Sequence, residues 1–376
     1  MNHTMTLKDK LQIILITYNR EYHLKRTLQQ LFSSTSPIKE CDITILDNAS
    51  TDNTGKIISQ YQKQYPNLKH TRHKKNIGGN ANICRAFELG ASNNKEYLWV
   101  LCDDDYYDWS NWNEVEQAMK NKADCIGVAR YGISNDNDLN DKAHQLFQLT
   151  FVPAGIYKTK NITDTILTNM YDTIYSMFQH SVLAITLINS QKKIEFLKHP
   201  IVENGLHIED KNQPQPNCSY YRGANASEVF FRRKEQCWII GFANIIRLLN
   251  DKNLQEKCIK TAINYQDIHG NWNNFYNCLA ANYGQKADMF HYFLEVLAVL
   301  PPKNKTALLR KSEYELPLYQ IGLISPTQYW YSQKIKNLKK IAKIIFSIKN
   351  TPDKQHKVIT FLGLKLKIKK PEKQLL

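Results

Sequence analysis

Tyr97–Asp105 reads YLWVLCDDD, an unbroken apolar run that ends in three adjacent carboxylates. A run without polar alternation is the pattern of a strand covered on both faces, as in the middle of a parallel sheet. Two upstream segments repeat it: Gln12–Thr17 (QIILIT) and Asp42–Asp47 (DITILD). Leu68–Arg72 and Asp124–Ala129 complete a set of five short strands. Helical periodicity fills the gaps, over Glu21–Ser33, Asn53–Gln64, Gly79–Ala91 and Ser110–Asn121. Strand, helix, strand in alternation predicts right-handed βαβ units and a mostly parallel sheet.

Open sheets of this kind take ligands beyond the carboxyl ends of their strands. The polar clusters fall there: Thr17-Tyr18-Asn19-Arg20 after the first strand, Asp47-Asn48-Ala49-Ser50-Thr51-Asp52 after the second, and Asp103-Asp104-Asp105 after the fourth. The first turn, ITYNR, holds no glycine, and the chain has no GxxxxGK[ST], which excludes the dinucleotide fingerprint and the P-loop. Three adjacent carboxylates repel one another and call for a hard divalent cation, Mg2+ or Mn2+, of the sort shared with substrate phosphates. The bland alternative is a solvated turn that caps the following helix.

At this point the residues resemble the family-2 nucleotide-sugar glycosyltransferases of the GT-A fold. Four motifs carry the resemblance over about residues 10–130: Ile14–Arg20 (ILITYNR), Leu46–Thr54 (LDNASTDNT), Asn76–Asn80 (NIGGN) and Leu101–Asp105 (LCDDD). It implies that Thr17, Tyr18 and Arg20 line the nucleotide pocket and that Asp47 accepts from the base or ribose. Asn76, Gly78 and Gly79 would let the backbone approach the donor. Asp103 and Asp105 fit the family's DxD pattern, with Asp105 the direct metal ligand and Asp104 its rival. A turn or capping role is the alternative for Asp47, although Asp52 is better placed to cap. Phe361–Lys365 (FLGLK) adds a looser likeness to bacterial surface-polysaccharide transferases.

Past residue 130 the alternation stops. The segments Gln236–Asn250, Asn253–Tyr265 and Asp288–Leu300 read as helices, and Asp210–Glu228 as an exposed loop. An inverting transferase needs a group to deprotonate the acceptor hydroxyl. The family places it in a short Glu-Asp motif, which nominates Glu209 and Asp210 in HIED; His180, Glu203 and His207 are lesser candidates. The expected organisation is a GT-A-like α/β domain over 1–130, a mainly helical acceptor region over 131–331 and a basic amphipathic tail over 332–376.

Charge is concentrated in that tail. The net charge is +15, from 50 Lys and Arg against 35 Asp and Glu. Ser332–Leu376 holds thirteen lysines, no arginine and two acids, a net of +11, which leaves +4 for the other residues. Ile335, Leu338, Ile341 or Ala342, Ile345 and Ile348 recur at helical spacing opposite Lys336, Lys339, Lys340 and Lys343, a pattern suited to an anionic membrane surface. Without arginine or interleaved aromatics, nucleic acid is not an expected partner. Lys365–Lys369 alternates with period two and reads as a short edge strand with lysine gatekeepers.

Hydrophobic residues make up 42% and charged residues 23% of the 376 positions, which excludes disordered and fibrous chains. No apolar run approaches the roughly 20 residues of a bilayer span, and MNHTMTLKDK lacks a signal-peptide pattern. Eight cysteines include no CxxC pair, so they read as reduced thiols. The chain is therefore expected on the cytoplasmic side, peripheral on the inner face of the cytoplasmic membrane. Its expected chemistry is metal-dependent transfer, with inversion, from a nucleoside-diphosphate sugar, UDP-linked, to a hydroxyl of a growing surface glycan or lipid-linked glycan. The rival enzyme class, a nucleotidyltransferase, calls for a Gly-rich basic loop that TYNRE does not supply. A non-catalytic membrane- or nucleic-acid-binding module is the non-enzymatic rival.

Overall fold

The computed structural model describes residues 6–129, 141–203, 205, 241–242, 244–258, 346–350, 356–361 and 364–369, with isolated positions at 261, 326–327, 330, 334 and 337–338. In chain order the first unit contains α1 (Leu7–Lys10), β1 (Leu11–Thr17), α2 (Glu21–Leu31), β2 (Asp42–Asp47), α3 (Thr54–Gln62), β3 (Leu68–Arg72) and α4 (Gly79–Ala91). There follow β4 (Tyr97–Cys102), β5 (Tyr106–Tyr107), α5 (Trp112–Lys120), β6 (Cys125–Gly127), α6 (Lys142–Gln148), β7 (Gly155–Lys158), α7 (Asp164–Asp172), α8 (Ser181–Asn189), β8 (Ile194–Phe196) and β9 (Val202–Glu203).

Seven strands form one sheet in the order β3-β2-β1-β4-β7-β6-β8. The β3-β2-β1-β4 half is parallel, in register from Thr17 beside Asp47 and from Ile16 beside Cys102. The order turns back between β1 and β4, which makes that gap the switch point where such sheets bind ligands. β1 is buried at every position, and β2 and β4 at all but one end residue. α2 turns His23, Leu24, Thr27, Leu28 and Leu31 inward at three- and four-residue spacing. Trp99 is the largest fully buried side chain; it donates from Nε1 to the Pro153 carbonyl at 2.9 Å and packs against Tyr107, Trp109 and Trp112.

The sheet does not end at residue 130. β7 pairs antiparallel to both β4 and β6, and β8 adds parallel to β6, so residues up to Phe196 belong to the same layer. These additions are three or four residues long, too short to show a period against the surrounding helices.

The chain divides into two compact units: Met1–Asn282 with Leu294–Pro302, and Tyr283–Phe293 with Lys303–Leu376. In the second, β10 (Phe346–Asn350), β11 (His356–Phe361) and β12 (Leu364–Lys369) form an antiparallel sheet in sequence order. The backbone is helical at 334 and 337–338, but the helical pattern read through Ile348 stops before Phe346, where the chain becomes a strand. β12 is an edge strand, as its sequence predicts, with Lys365, Leu366 and Lys367 all exposed, so its described burial does not alternate. Among the described residues no helix is long and apolar enough to cross a membrane. Asp288–Leu300 and Asp210–Glu228 lie wholly outside the described residues, as do 236–240 and 243 of Gln236–Asn250, and Glu209 and His207.

Candidate active site

Thr17 and Asp103 close the gap between β1 and β4. Thr17 Oγ1 donates to Asp103 Oδ2 at 2.6 Å, and Arg20 Nη1 donates to Asp103 Oδ1 at 3.1 Å and also to Asp104. Thr27 Oγ1 from α2 donates to the Asp103 carbonyl at 2.8 Å, and Arg26 donates to the Asp104 carbonyl and the Tyr106 hydroxyl. Thr17, Arg20, Asp103 and Asp105 are all buried, and Tyr18 is half-buried. The triplet is therefore not a solvated cap; it is a buried turn held by β1 and α2.

Its three acids differ. Burial pushes the Asp103 carboxyl up to about 6 even with Arg20 beside it. Burial acts on Asp104 too, but the Arg20 charge and hydrogen bond hold it below the usual range. Asp105 is pushed well above that range by burial and then by Asp104; the Gly205 amide, 3.3 Å from Oδ1, opposes this only in part. Asp105 Oδ2 is buried with no hydrogen-bond partner among the described residues. A carboxylate in this state is stabilised by a cation.

Asp104, Asp105 and the neighbouring Cys102 bring one potential ligand atom each to within 4.8 Å of one another. Asp103 does not join them, because Thr17 and Arg20 occupy both of its oxygens. The geometry groups Asp104 with Asp105, while Asp103, the other half of the expected DxD pair, anchors the turn. The residues fit a divalent cation, since two carboxylates converge and one oxygen is left unpartnered.

Gly205 is a functional position that sequence reading missed. β9 pairs with β5, which lays the chain along the acidic turn. A Cβ at 205 would sit 1.7 Å from the Asp104 carbonyl oxygen, so only glycine fits this approach. No periodicity or motif in NGLH signals it.

The second cluster lies beyond β2. Asp47 is fully buried; Oδ1 accepts from the Ser50 amide at 2.8 Å, and Oδ2 lies 3.5 Å from His70 Nε2 and 3.4 Å from Arg72 Nε. Burial would raise its pKa, but these hydrogen bonds and the His70 charge hold it below the ordinary value. Asp47 thus positions Ser50, His70 and Arg72 around the site in place of presenting an open carboxylate. Asp52, by contrast, accepts from the Thr54 amide at the start of α3. Asn48 joins the clusters: its Nδ2 donates to Asn76 Oδ1 at 2.8 Å and its Oδ1 accepts from the Ile77 amide at 2.9 Å. Asn76 Oδ1 also accepts from the Gly78 amide, and Gly78, at φ +87°, turns the chain into α4 at Gly79. The Asn19 and Ala49 backbones share this left-handed region, with φ of 50° and 68°.

Residues 12–185 match the family described as Glycosyl transferase family 2. Those residues form a glycosyltransferase family 2 domain. The GalNAc(5)-diNAcBac-PP-undecaprenol beta-1,3-glucosyltransferase of Campylobacter jejuni is 22% identical over 309 residues, 78% of this chain and 94% of that protein. The poly(ribitol-phosphate) beta-glucosyltransferase of Bacillus spizizenii is 28% identical over 131 residues, 33% of this chain and 20% of that protein. The chain spans between a fifth and about a third of the length of the first curated relatives it matches. S. aureus TarS 1–349 in complex with UDP superposes with a TM-score of 0.56 at 14% identity, over 95% of this chain and 98% of that one. That likeness gives the family-2 domain its GT-A fold.

The family-2 match runs past residue 130, as the sheet does. His180, a lesser candidate for the base, is buried at the start of α8 with Nε2 3.0 Å from the Thr150 carbonyl. Burial lowers its pKa to about 4, so the imidazole is neutral at pH 7. It is a buried histidine hydrogen-bonded to the backbone. Glu203, on β9, is exposed beside the acidic turn.

Proposed function

We propose that this chain transfers a sugar from a nucleoside-diphosphate donor, UDP-linked, to a hydroxyl of a growing surface glycan, by single displacement with inversion. The observation that carries the reading is the junction of Thr17, Arg20 and the acidic triplet at the β1/β4 switch point of a family-2 domain. Support for a UDP donor comes from TarS, crystallised with UDP and with UDP-GlcNAc. The Campylobacter and Bacillus relatives are named for a lipid-diphosphate-linked glycan and a polyol phosphate, and both are glucosyltransferases.

In this reading Asn48, Asn76, Gly78 and the Asp47–Arg72 pair shape the nucleotide side of the pocket, with Thr17 and Tyr18 on its floor. Arg20 holds Asp103 and Asp104 in place while the diphosphate departs. A divalent cation, Mn2+ or Mg2+, held by Asp104 and Asp105, supplies charge stabilisation for the leaving diphosphate. The acceptor hydroxyl needs a base, and Glu209 or Asp210 fills that role. Gly205 is fixed on Asp105, so the chain restricts both acids to about 14–18 Å from it at full extension. The lysine-rich tail places the enzyme against an anionic membrane on the cytoplasmic side.

A thermal-shift screen of UDP-, GDP-, dTDP- and CMP-linked sugars with Mn2+ tests the donor, because a ligand that binds only the folded state raises the melting temperature. UDP-sugars should stabilise most. No shift with any donor, together with no donor hydrolysis, ends the reading. Asp210→Asn or Glu209→Gln should lose at least about 10²-fold in transfer with donor binding kept. Vesicle co-sedimentation at two salt concentrations tests the tail; no binding to anionic vesicles at low salt removes it.

A further inference from the structure

We propose that Cys102 is a sulfur ligand of the cation site, which makes it a mixed sulfur–oxygen centre that prefers thiophilic or borderline ions to Mg2+. The inference rests on reading Asp104 and Asp105 as a cation site and assigns that site's selectivity. Cys102 is the last residue of β4, in register with Ile16, and the chain turns directly after it into the acids. Its Sγ and one oxygen each from Asp104 and Asp105 lie within 4.8 Å of one another. Ligand atoms around one Zn2+-sized ion, with Zn–S about 2.3 Å and Zn–O about 2.0–2.2 Å, sit on the order of 3.5 Å apart, so small side-chain rotations close the set. A second, independent observation points to an ion here: Asp105 Oδ2 is buried, in a residue 1% exposed, and no hydrogen bond satisfies it among the described residues.

Chemistry separates this cysteine from the others described. Cys41, Cys84, Cys125 and Cys258 are buried thiols, whereas Cys102 is partly exposed and is the cysteine grouped with two carboxylates. Thiolate is a soft ligand that selects Zn2+, Cd2+ and Co2+, while Mg2+ demands near-ideal all-oxygen octahedra and gains nothing from sulfur. Binding of a thiophilic ion forms the metal–sulfur bond and releases the thiol proton to solvent.

Cobalt supplies the test, since sulfur-to-Co2+ charge transfer gives a near-ultraviolet band that oxygen ligands do not. Co2+ titrated into the full chain should produce that band, and Cys102→Ser should abolish it while circular dichroism stays unchanged. Cd2+ affinity should fall at least about tenfold in Cys102→Ser, with Mg2+ affinity held within about threefold. Asp105→Asn, which keeps the sulfur, should weaken Co2+ binding and the band together, so the proposal stays testable if the serine variant does not fold. Co2+ binding without the band, or a band undiminished in Cys102→Ser, would leave the acidic site standing and overturn the sulfur assignment. Absence of binding by every ion would overturn the cation site as well, while the donor thermal-shift screen would still judge the transferase reading.

Discussion

Asp47 ends β2 and Asp105 lies just past β4, on either side of β1; each is within 1% of complete burial, yet their carboxyls are driven in opposite directions. Asp47 meets the Ser50 amide, His70 and Arg72, and stays ionised below its ordinary range. Asp105 meets two other carboxylates and a single distant amide, and is pushed up. Burial is common to both, so it does not decide their roles. The surrounding charge does: Oδ2 of each acid lacks a hydrogen bond, but that of Asp47 lies 3.4–3.5 Å from Arg72 and His70, whereas Asp105 sits beside two further carboxylates.

The sharpest way to break this contrast is Asp105→Asn. Turnover of donor should fall by at least about 10³-fold, the equivalent of several kcal/mol of lost charge stabilisation. In metal-free buffer the same variant should melt higher than wild type. A carboxyl whose folded pKa is raised binds its proton more tightly when folded, so its ionisation lowers stability as pH climbs from about 4 through the folded value. The difference in melting temperature should therefore widen from pH 4 upward. Equal melting temperatures at pH 7, or wild-type turnover, would sink the assignment.

Arg20→Ala should come next. It leaves Asp103 and Asp104 buried without their cation, which costs about 3–4 kcal/mol. Denaturant unfolding should show it, and a loss under about 1 kcal/mol would mean that water already screens the pair. Asp47→Asn should move stability opposite to Asp105→Asn, lowering it by about 1–3 kcal/mol through the unpaired His70 and Arg72. Because the folded pKa of Asp47 is depressed, that loss should be present above about pH 4 and vanish as acid protonates the wild-type group. A stabilised Asp47→Asn would erase the contrast. The smallest effect belongs to His199→Gln: the imidazole paired with Glu114 is itself largely exposed, and unfolding should change by less than about 1 kcal/mol.

Much of this arrangement was legible beforehand. Asp42–Asp47, Tyr97–Cys102 and Gly79–Ala91 have the bounds that periodicity assigned, because apolar runs and a Gly-Gly helix entry leave little choice; Leu68–Arg72 has its assigned bounds too, without an apolar run. Thr17, Arg20 and the triplet were nominated from strand ends and do meet. What stayed hidden depends on contacts between distant residues: which acid faces Arg20, how Asp47 is sealed by His70 and Arg72, and why residue 205 is glycine. β6, β7 and β8 were obscured or curtailed because three or four residues carry too little pattern. The tail misled near Phe346, since a run such as IAKIIFSIK satisfies helical and alternating periods at once.

The contact of Gly205 with Asp105 spans 100 residues of chain. A loop of that size closes late in folding, since its entropy must be met before the contact gives anything back. The parallel core of β1, β2 and β4 can assemble from nearer neighbours, but the acidic turn acquires its last amide only when the later part of the chain arrives. The same clip is then the first to open, and hydrogen exchange at the Gly205 amide should run ahead of the β1 and β4 amides. In this molecule the completed acidic turn is a clock for the end of folding.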